Sequence, residues 1–290
     1  ANPELSQNTV AKFSQNPTNT PPLSLFKHLD AIQAQEAWSL GKGEHIVVAV
    51  IDSGVNYNHP LLRNNMVVKS SEEINGQDSD NNGFIDDTIG WDFINNDRFP
   101  YDDDGHGSHV SGLIASPVFG VAPKAKILAV KALNAAGSSD IGTVVSAIYY
   151  AVDNGAKIIN ASLGFQSMET APQPLLDAVA YAQSKDVIFL AAAGNGDETG
   201  RGYDITQRPV YPASITLDNV ITVAATAQGT ITSYSNYSTD FVHIAAPGGN
   251  GAEPVVSLTT QNPSQSQLIG QSGTSMACPI TVGVVALMLS

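Results

Sequence analysis

The feature that most constrains the fold is a regular alternation of short apolar segments with longer amphipathic ones. The first apolar segment, residues 45–54 (HIVVAVIDSG), is an unbroken run of Val, Ile and Ala that ends at turn residues. A run of this kind is typical of a strand that is buried on both faces. Comparable segments follow at residues 125–133, 157–164, 187–195, 220–226 and 241–248.

Two segments between these strands have the apolar spacing of helices. Residues 138–155 begin with Ser138 or Ser139 as the expected N-cap and end at Gly155, and residues 172–186 carry prolines near their start. Strands that alternate with helices in this way predict an α/β fold. We therefore expect three layers, with a mostly parallel central sheet covered by helices on both faces.

The chain shows one domain and one short arm. Residues 1–24 are polar and contain prolines that would interrupt a helix, so we predict an irregular N-terminal arm there. Residues 25–290 show no shift in composition and no internal repeat, which predicts a single domain. Within it, residues 248–267 resemble a connecting loop, and the last segment is expected to be helical after Pro279.

Charge and cysteine content exclude several classes of protein. The 13 Lys and Arg residues against 27 Asp and Glu residues give a net charge of −14, which disfavours nucleic acid and anionic membranes as partners. No stretch approaches the roughly 18 apolar residues of a membrane span. A single cysteine excludes an intramolecular disulfide and a cysteine-rich zinc site. The acidic surplus is either a solvated surface or a set of ligands for hard cations.

Four polar residues lie where catalytic groups gather in α/β proteins. Asp52 and Asn195 each follow an apolar strand, at the edge where ligands bind. His106 lies between glycines at an expected helix start and could act as a general base. Ser275 precedes an apolar helix, where free N–H groups favour negative charge. Taken singly, each has an ordinary structural alternative as a turn or cap residue.

Together these residues lie in motifs that resemble those of the subtilisin-like serine proteases, the subtilases. The motifs are D-S-G at 52–54, H-G-S-H at 106–109, A-A-G-N at 192–195 and G-T-S-M-A-x-P at 273–279. The resemblance extends from about residue 28 to residue 290. It implies the subtilisin-like fold and hydrolysis of peptide bonds.

The resemblance also implies a role for each residue. Ser275 would be the nucleophile, His106 the general base and Asp52 the group that orients the imidazole. Asn195 and the Ser275 N–H would stabilise the oxyanion. The resemblance further implies a set of substrate-binding residues, along the substrate backbone and around the first specificity pocket: Gly137, Ser138, Ser162, Leu163, Gly164, Ala192, Ala193 and Gly194. Because the last three are small, we expect a roomy apolar pocket.

The acidic residues concentrate in the stretch QDSDNNGFIDD. Oxygen-bearing side chains alternate before a glycine, as in the first half of an EF-hand loop, which predicts a structural Ca²⁺ site; the alternative is a solvated turn. The expected ligands are Asp78, Asp80, Asn82, the carbonyl of Phe84, Asp86 and Asp87. Asp92, Asn95 and Asp97 form a weaker second candidate site. Asp102, Asp103 and Asp104 are expected in a surface turn.

The sequence thus predicts a calcium-stabilised serine endopeptidase that acts on polypeptides as a monomer. The resemblance implies a secreted or extracytoplasmic location and a prosegment or protein inhibitor as a partner. Residues 1–24 are too short to be such a prosegment, which predicts a mature or trimmed form. The alternatives are a binding protein with an inactive site, and an esterase or peptide ligase that uses the same triad.

Overall fold

The computed structural model describes residues 11–12, 23–166, 169–260 and 267–290. Most of the expected N-terminal arm lies outside the described residues. The strands are β1 (Ala11–Lys12), β2 (Val47–Asp52), β3 (Gly90–Asp92), β4 (Lys126–Lys131), β5 (Ile158–Ala161), β6 (Ile188–Ala192), β7 (Val220–Ala227), β8 (Thr230–Ile231), β9 (Ile244–Pro247), β10 (Val255–Leu258) and β11 (Gln267–Gln271). The α-helices are α1 (Lys27–Ala31), α2 (Ala34–Ala37), α3 (His106–Ala115), α4 (Ile141–Asp153), α5 (Gln173–Ser184) and α6 (Thr274–Leu289).

The main sheet has the strand order β3-β4-β2-β5-β6-β7-β8, and β9 also pairs with β7. Every neighbouring pair is parallel except β7 with β8. Strand β2 lies in the middle, where Val48 pairs with Ile127 on one side and Ile158 on the other. The mostly parallel sheet that the sequence predicts is confirmed.

Both faces of this sheet are buried. Along β2, Val48 and Val50 belong to one apolar cluster, whereas Ala49 and Ile51 belong to a second one on the opposite face. Helices α3 and α6 contribute to the first cluster, and α4 and α5 to the second. Burial on both sides is why the strands are continuously apolar instead of alternating. The three expected layers are therefore present.

Two local predictions are corrected. The N-cap of α4 is Asp140, whose carboxylate accepts the Thr143 N–H at 3.0 Å, and neither Ser138 nor Ser139 has this role. The segment 248–267 is not only a loop, because β10 pairs antiparallel with β11 in a small second sheet that also includes β1. These short strands lack the long apolar runs by which the main sheet was identified.

Helix α6 begins at Thr274 and contains Pro279, whereas the sequence predicted a helix only after that proline. Proline has no N–H, so the carbonyl of Ser275 four residues earlier loses its helical donor. The Ser162 hydroxyl lies 3.1 Å from that carbonyl and donates to it. Ten residues of α6 are buried, which is expected of a helix enclosed by the core.

Among the described residues, no helix is both long and apolar enough to cross a membrane.

Candidate active site

Side chains of the candidate site gather at the carboxyl ends of three neighbouring parallel strands. Asp52 is the last residue of β2, Ser162 directly follows β5, and Asn195 lies three residues beyond β6. Parallel strands place these ends at one edge of the sheet, where ligands bind in open α/β folds. Helices α3 and α6 bring His106 and Ser275 to the same edge through their first turns.

Asp52 and His106 form a close pair. The Nδ1 atom of His106 lies 2.8 Å from Oδ1 of Asp52, and the Asp52 side chain is fully buried. The second carboxylate oxygen of Asp52 is also buried and has no hydrogen-bond partner among the described residues. Gly107 permits this approach, because a Cβ there would lie 2.1 Å from the Gly54 carbonyl. The arrangement leaves Nε2 of His106 without a hydrogen-bond partner among the described residues.

The charge around His106 favours its protonated form. Burial lowers the pKa of the imidazole, but the charge and hydrogen bond of Asp52, with Asp104 and Asp102, outweigh burial and raise the pKa to about 9. The side chain of His106 is 24% exposed, so solvent still reaches it. Because the pKa is raised above its usual 6.5, the pair stabilises the fold fully below about pH 6.5, and this contribution is lost as pH rises through about 9.

Ser275 is the second residue of α6 and is partly buried beside β5. Its hydroxyl donates to the Ser162 carbonyl at 3.3 Å. Within the part of the chain that the structure describes, its Oγ makes no hydrogen bond to the imidazole of His106. Catalytic hydrogen bonds are often unformed until substrate is present.

The amide of Asn195 is held in one orientation by Thr274. The Thr274 N–H lies 2.8 Å from Oδ1 of Asn195, and the Thr274 hydroxyl lies 2.9 Å from the same atom. A backbone N–H can only donate, so this atom must be the amide oxygen. The NH₂ group then faces away from Thr274 on an exposed side chain, and it has no acceptor in the part of the chain that the structure describes.

Two cavities meet at residues 162–164. The first, with a volume of about 370 Å³, is lined by His106, Asp104, Gly137 and Ser138 as well as this segment. The second, of about 390 Å³, is lined by a different set: Ala192, Gly194, Asn195, Asp197, Glu198 and Ser275. The expected substrate-binding segments therefore border one cleft.

Two expectations about the second cavity are corrected. Ala193 does not line it, because the residue is fully buried and its N–H bonds to the Val223 carbonyl at 3.0 Å. The cavity is also not wholly apolar, because Asp197 and Glu198 border it. These two residues follow Asn195 in the sequence and were not singled out there, since a turn rich in Gly and Asp has no distinctive pattern.

Asp102 is not part of a surface turn but the centre of a buried network. It is 1% exposed, and its Oδ1 accepts the Ser53 hydroxyl and the Gly105 N–H, both at 2.8 Å. Its Oδ2 accepts the Ser108 N–H at 2.8 Å, and the Ser53 hydroxyl in turn accepts the Gly107 N–H at 3.0 Å. The network joins the first turn of α3 to the residue that follows Asp52. It thereby sets the position of His106 relative to Asp52.

Lys131 is a second residue that the sequence did not single out. It ends β4, is 1% exposed, and donates to the carbonyls of Ser53 at 2.7 Å and Leu133 at 2.9 Å. Its ammonium also pairs with Asp103 at 2.6 Å. It thus holds together three segments beside the cleft. A lysine that directly follows the apolar run 127–130 was the signal available in the sequence.

The predicted calcium loop places some of its acidic side chains together. The carboxylate oxygens of Asp80 and Asp87 lie within 4.8 Å of each other and of Glu72, which the sequence analysis did not include. Asp86 is turned away: its Oδ1 accepts the N–H groups of Asn75 and Gly76 at 2.9 and 3.0 Å. Asp87, rather than Asp86, is therefore the residue that closes this cluster.

The other expected ligands in this loop have structural partners. Asp78 accepts the N–H groups of Asn82 and Gly83 at 3.0 and 2.8 Å, while the Asn82 amide donates to Asp87 at 3.1 Å. The ring of Phe84 packs edge-on against Tyr150, with ring centroids 4.8 Å apart. These contacts fold the loop and anchor it to α4.

In the second candidate metal site, the carboxylate oxygens accept hydrogen bonds from nearby N–H groups. Asp92 accepts the N–H groups of Ile94 and Asn95 at 2.8 and 2.9 Å, and the Asn95 amide at 2.8 Å. Asp97 accepts the Phe99 N–H at 2.8 Å. The carboxylates of this cluster thus accept the N–H groups of their own tight turn.

Comparison with known proteins identifies a family and several relatives. A protein-family profile for the Subtilase family matches residues 43–290. Thermitase from Thermoactinomyces vulgaris is 36% identical over 266 residues, which cover 89% of this chain and 80% of thermitase. A thermophilic serine proteinase from Bacillus sp. (strain AK1) is 37% identical over 88% of this chain, which spans only 55% of that protein.

A solved structure is also similar. It is the crystal structure of a cold adapted subtilisin-like serine proteinase, with a TM-score of 0.66 and 29% sequence identity. The match covers 86% of this chain and 77% of that one.

Proposed function

The chain belongs to the subtilase family and is a subtilisin-like serine endopeptidase, and from this premise we propose that it cleaves polypeptides through an acyl-enzyme formed on Ser275. His106 is the general base and acid, and Asp52 orients it. The observation that carries this assignment is the 2.8 Å contact between the His106 Nδ1 and the fully buried Asp52.

The first half of the reaction acylates the serine. The Ser275 hydroxyl leaves the Ser162 carbonyl, gives its proton to Nε2 of His106 and attacks the carbonyl carbon of the peptide. The imidazolium that forms is stabilised by Asp52, which stays ionised. His106 then donates the proton to the leaving amine. In the second half, water gives a proton to His106 and attacks the acyl carbon, and His106 returns the proton to the Ser275 oxygen as the acid product leaves.

The developing oxyanion is stabilised by the NH₂ group of Asn195 and the backbone N–H of Ser275. Thr274 supports this role, because its two hydrogen bonds to the Asn195 oxygen leave only the NH₂ group to face the cleft. A donor whose orientation is fixed before the reaction need not reorganise during it. The substrate backbone lies along residues 162–164 and 137–138, and Ala192 and Gly194 border its first side-chain pocket.

Calcium stabilisation is the second part of the proposal. The donors that would hold the ion are carboxylate oxygens of the 72–87 loop, where Glu72, Asp80 and Asp87 converge. Carboxylate oxygens are the ligands that Ca²⁺ prefers, and one ion would neutralise like charges that otherwise repel. The Oε2 atom of Glu72, which is buried and has no partner among the residues that the structure describes, supports the fit. The ion has a structural role here and takes no part in the reaction.

We also propose that residues 25–290 form one domain, secreted as a monomer. Phe26 and Leu29 support the domain boundary, because both are fully buried in the cluster that contains Val48. An extracytoplasmic location is consistent with a structural calcium site, since calcium is plentiful there. A prosegment or protein inhibitor would bind along the same cleft as a substrate.

The experiment that tests the catalytic assignment is active-site labelling. We expect a fluorophosphonate probe to modify Ser275 in the folded protein, as located by peptide mass mapping, and to leave a Ser275→Ala variant unlabelled. Heat-unfolded protein is the control, and it should not react because the triad is dispersed. Absence of labelling in protein that is folded by circular dichroism, with calcium present, would contradict the assignment. Casein hydrolysis by the same sample separates an endopeptidase from an esterase.

A further inference from the structure

A compact group of charged side chains lies away from the cleft, beside α4. Its three carboxylates, Glu72, Asp80 and Asp87, have oxygens within 4.8 Å of one another. The ammonium of Lys69 lies 2.7 and 2.8 Å from the two oxygens of Asp87 and 3.0 Å from Asp80. One cation thus faces three anions, which leaves two negative charges without compensation inside the group.

Burial makes this imbalance costly. Asp87 is fully buried, Glu72 is 6% exposed, and the Lys69 side chain is 10% exposed. Tyr150 donates its hydroxyl to Asp87 at 2.6 Å, but it carries no charge. A buried anion that lacks an opposite charge is strongly destabilising. The group therefore favours the arrival of a further positive charge.

Glu72 provides an independent indication of a ligand. Its Oε1 accepts the Asp80 N–H at 2.8 Å, whereas its Oε2 is buried and has no hydrogen-bond partner among the described residues. Buried polar atoms without partners are rare in native proteins, and a bound cation would satisfy this oxygen. The unpartnered Oε2 atom therefore belongs to one of the three carboxylates of the cluster, Glu72.

We propose that a divalent cation binds Glu72, Asp80 and Asp87 and that it displaces the Lys69 ammonium when it does so. The inference rests on the calcium stabilisation proposed above and deepens it. A calcium ion at 2.3–2.6 Å from its ligands needs the oxygens of Asp80 and Asp87 that Lys69 now contacts. The flexible stem of lysine allows its amine to leave without movement of the backbone. Lys69 thus competes with calcium for Asp80 and Asp87, and it pairs with them when calcium is scarce.

The competition has two measurable consequences. Removal of the Lys69 charge should tighten calcium binding, because the ion no longer displaces an ion pair; we expect about tenfold or more. The same change should destabilise the calcium-free protein, because three carboxylates then face one another without a cation. Loss of the Glu72 charge should weaken calcium binding instead.

The experiment is a calorimetric calcium titration of chelator-treated protein, paired with thermal unfolding with and without calcium. All variants carry Ser275→Ala, so that self-digestion cannot affect the result. The test variants are Lys69→Met, Lys69→Gln and Glu72→Gln. The matched controls are Glu73→Gln, an exposed neighbouring carboxylate, and Lys124→Met, an exposed lysine paired with Glu44. Lys69→Gln serves if Lys69→Met does not fold without calcium.

The expected result is tighter binding in both Lys69 variants, weaker binding in Glu72→Gln and unchanged binding in both controls. Equal calcium affinity in Lys69→Met, Lys69→Gln and the parent would overturn the displacement. Equal affinity in Glu72→Gln and Glu73→Gln, with calcium still bound, would overturn the ligand assignment while calcium stabilisation stands. If the parent binds no calcium, both the inference and the stabilisation fail. The labelling of Ser275 tests the catalytic assignment separately.

Discussion

At the scale of single residues, the properties of His106 arise from the carboxylates around it. Asp52 contacts its Nδ1 atom, and Asp104 accepts its backbone N–H at 3.1 Å and lines the same cavity. Both negative charges favour the imidazolium and contribute to the pKa of about 9. Asp52 contacts the imidazole ring itself, whereas Asp104 acts on the ring through its charge and accepts only the backbone N–H of His106.

This difference predicts a pH effect that can be separated from orientation. The base must be neutral to accept a proton, so kcat/KM should rise with pH up to about 9. Asp104→Asn removes one negative charge, lowers the His106 pKa and moves this rise to lower pH, with roughly two- to fivefold higher kcat/KM at pH 7.

The measurement is kcat/KM against pH with a small uncharged peptide substrate. Asp240→Asn, at an exposed position outside both cavities, is the control and should reproduce the parent profile. An unchanged profile in Asp104→Asn would show that Asp104 does not influence the base.

At the scale of elements, the start of α3 is held by one buried carboxylate. Asp102 accepts hydrogen bonds from the Ser53 hydroxyl and from the N–H groups of Gly105 and Ser108. Without Asp102, these donors would be buried at the helix start without this acceptor. Because His106 is the first residue of α3, the same bonds fix both the helix and the proposed general base.

Asp102→Ala should therefore reduce stability and activity together. We expect the free energy of unfolding to fall by about 2–4 kcal/mol, because several buried donors lose their acceptor. We expect kcat to fall by about 10- to 100-fold, since small displacements of a catalytic group are costly. The measurements are urea unfolding of the Ser275→Ala form and peptide hydrolysis by the active form.

Asp140→Ala is the matched comparison, because Asp140 caps α4 from an exposed position. It should cost only about 1 kcal/mol, as is usual for an exposed N-cap. Equal losses of stability in the two variants would mean that Asp102 is an ordinary cap. Asp102→Asn keeps one acceptor oxygen and should lie between the parent and Asp102→Ala.

At the scale of the whole molecule, the sheet and its two helical layers enclose the core on which the site is built. Cys278 lies in this core, three residues after Ser275, and is fully buried. Burial raises the pKa of its thiol to about 12, so the reactive thiolate is scarce. Reagents can reach it only when α6 separates from the rest of the fold.

We predict that this thiol reports global unfolding. In the Ser275→Ala form, an aromatic disulfide reagent should react with Cys278 at least about 10³-fold more slowly in buffer than in denaturant. The control is Ser184→Cys, at an exposed position, in a protein whose Cys278 is replaced by Ala. Rapid reaction of native Cys278, close to the control rate, would show that α6 opens locally.

Some parts of this organisation were predictable because their signals are local. The continuous apolar strands reveal burial on both faces, and this is enough to specify the parallel sheet and the helical layers. The ends of those strands locate Asp52 and Asn195, and short motifs locate His106 and Ser275. These features depend only on residues that are adjacent in the chain.

Other parts were decided only by the tertiary structure, because they join residues that are far apart in sequence. The Ser162 hydroxyl reaches a carbonyl left free by Pro279, and Asp102 reaches Ser53; nothing local marks either pair. The meeting of Lys69 with Asp87 likewise depends on how a loop folds. Loops lack a periodic pattern, and their contacts therefore cannot be predicted from neighbouring residues. The sequence by itself determined the layers and the residues of the candidate site, because those signals are local. Packing decided which buried donors, acceptors and charges meet, since a buried polar group takes whichever partner the fold brings within reach.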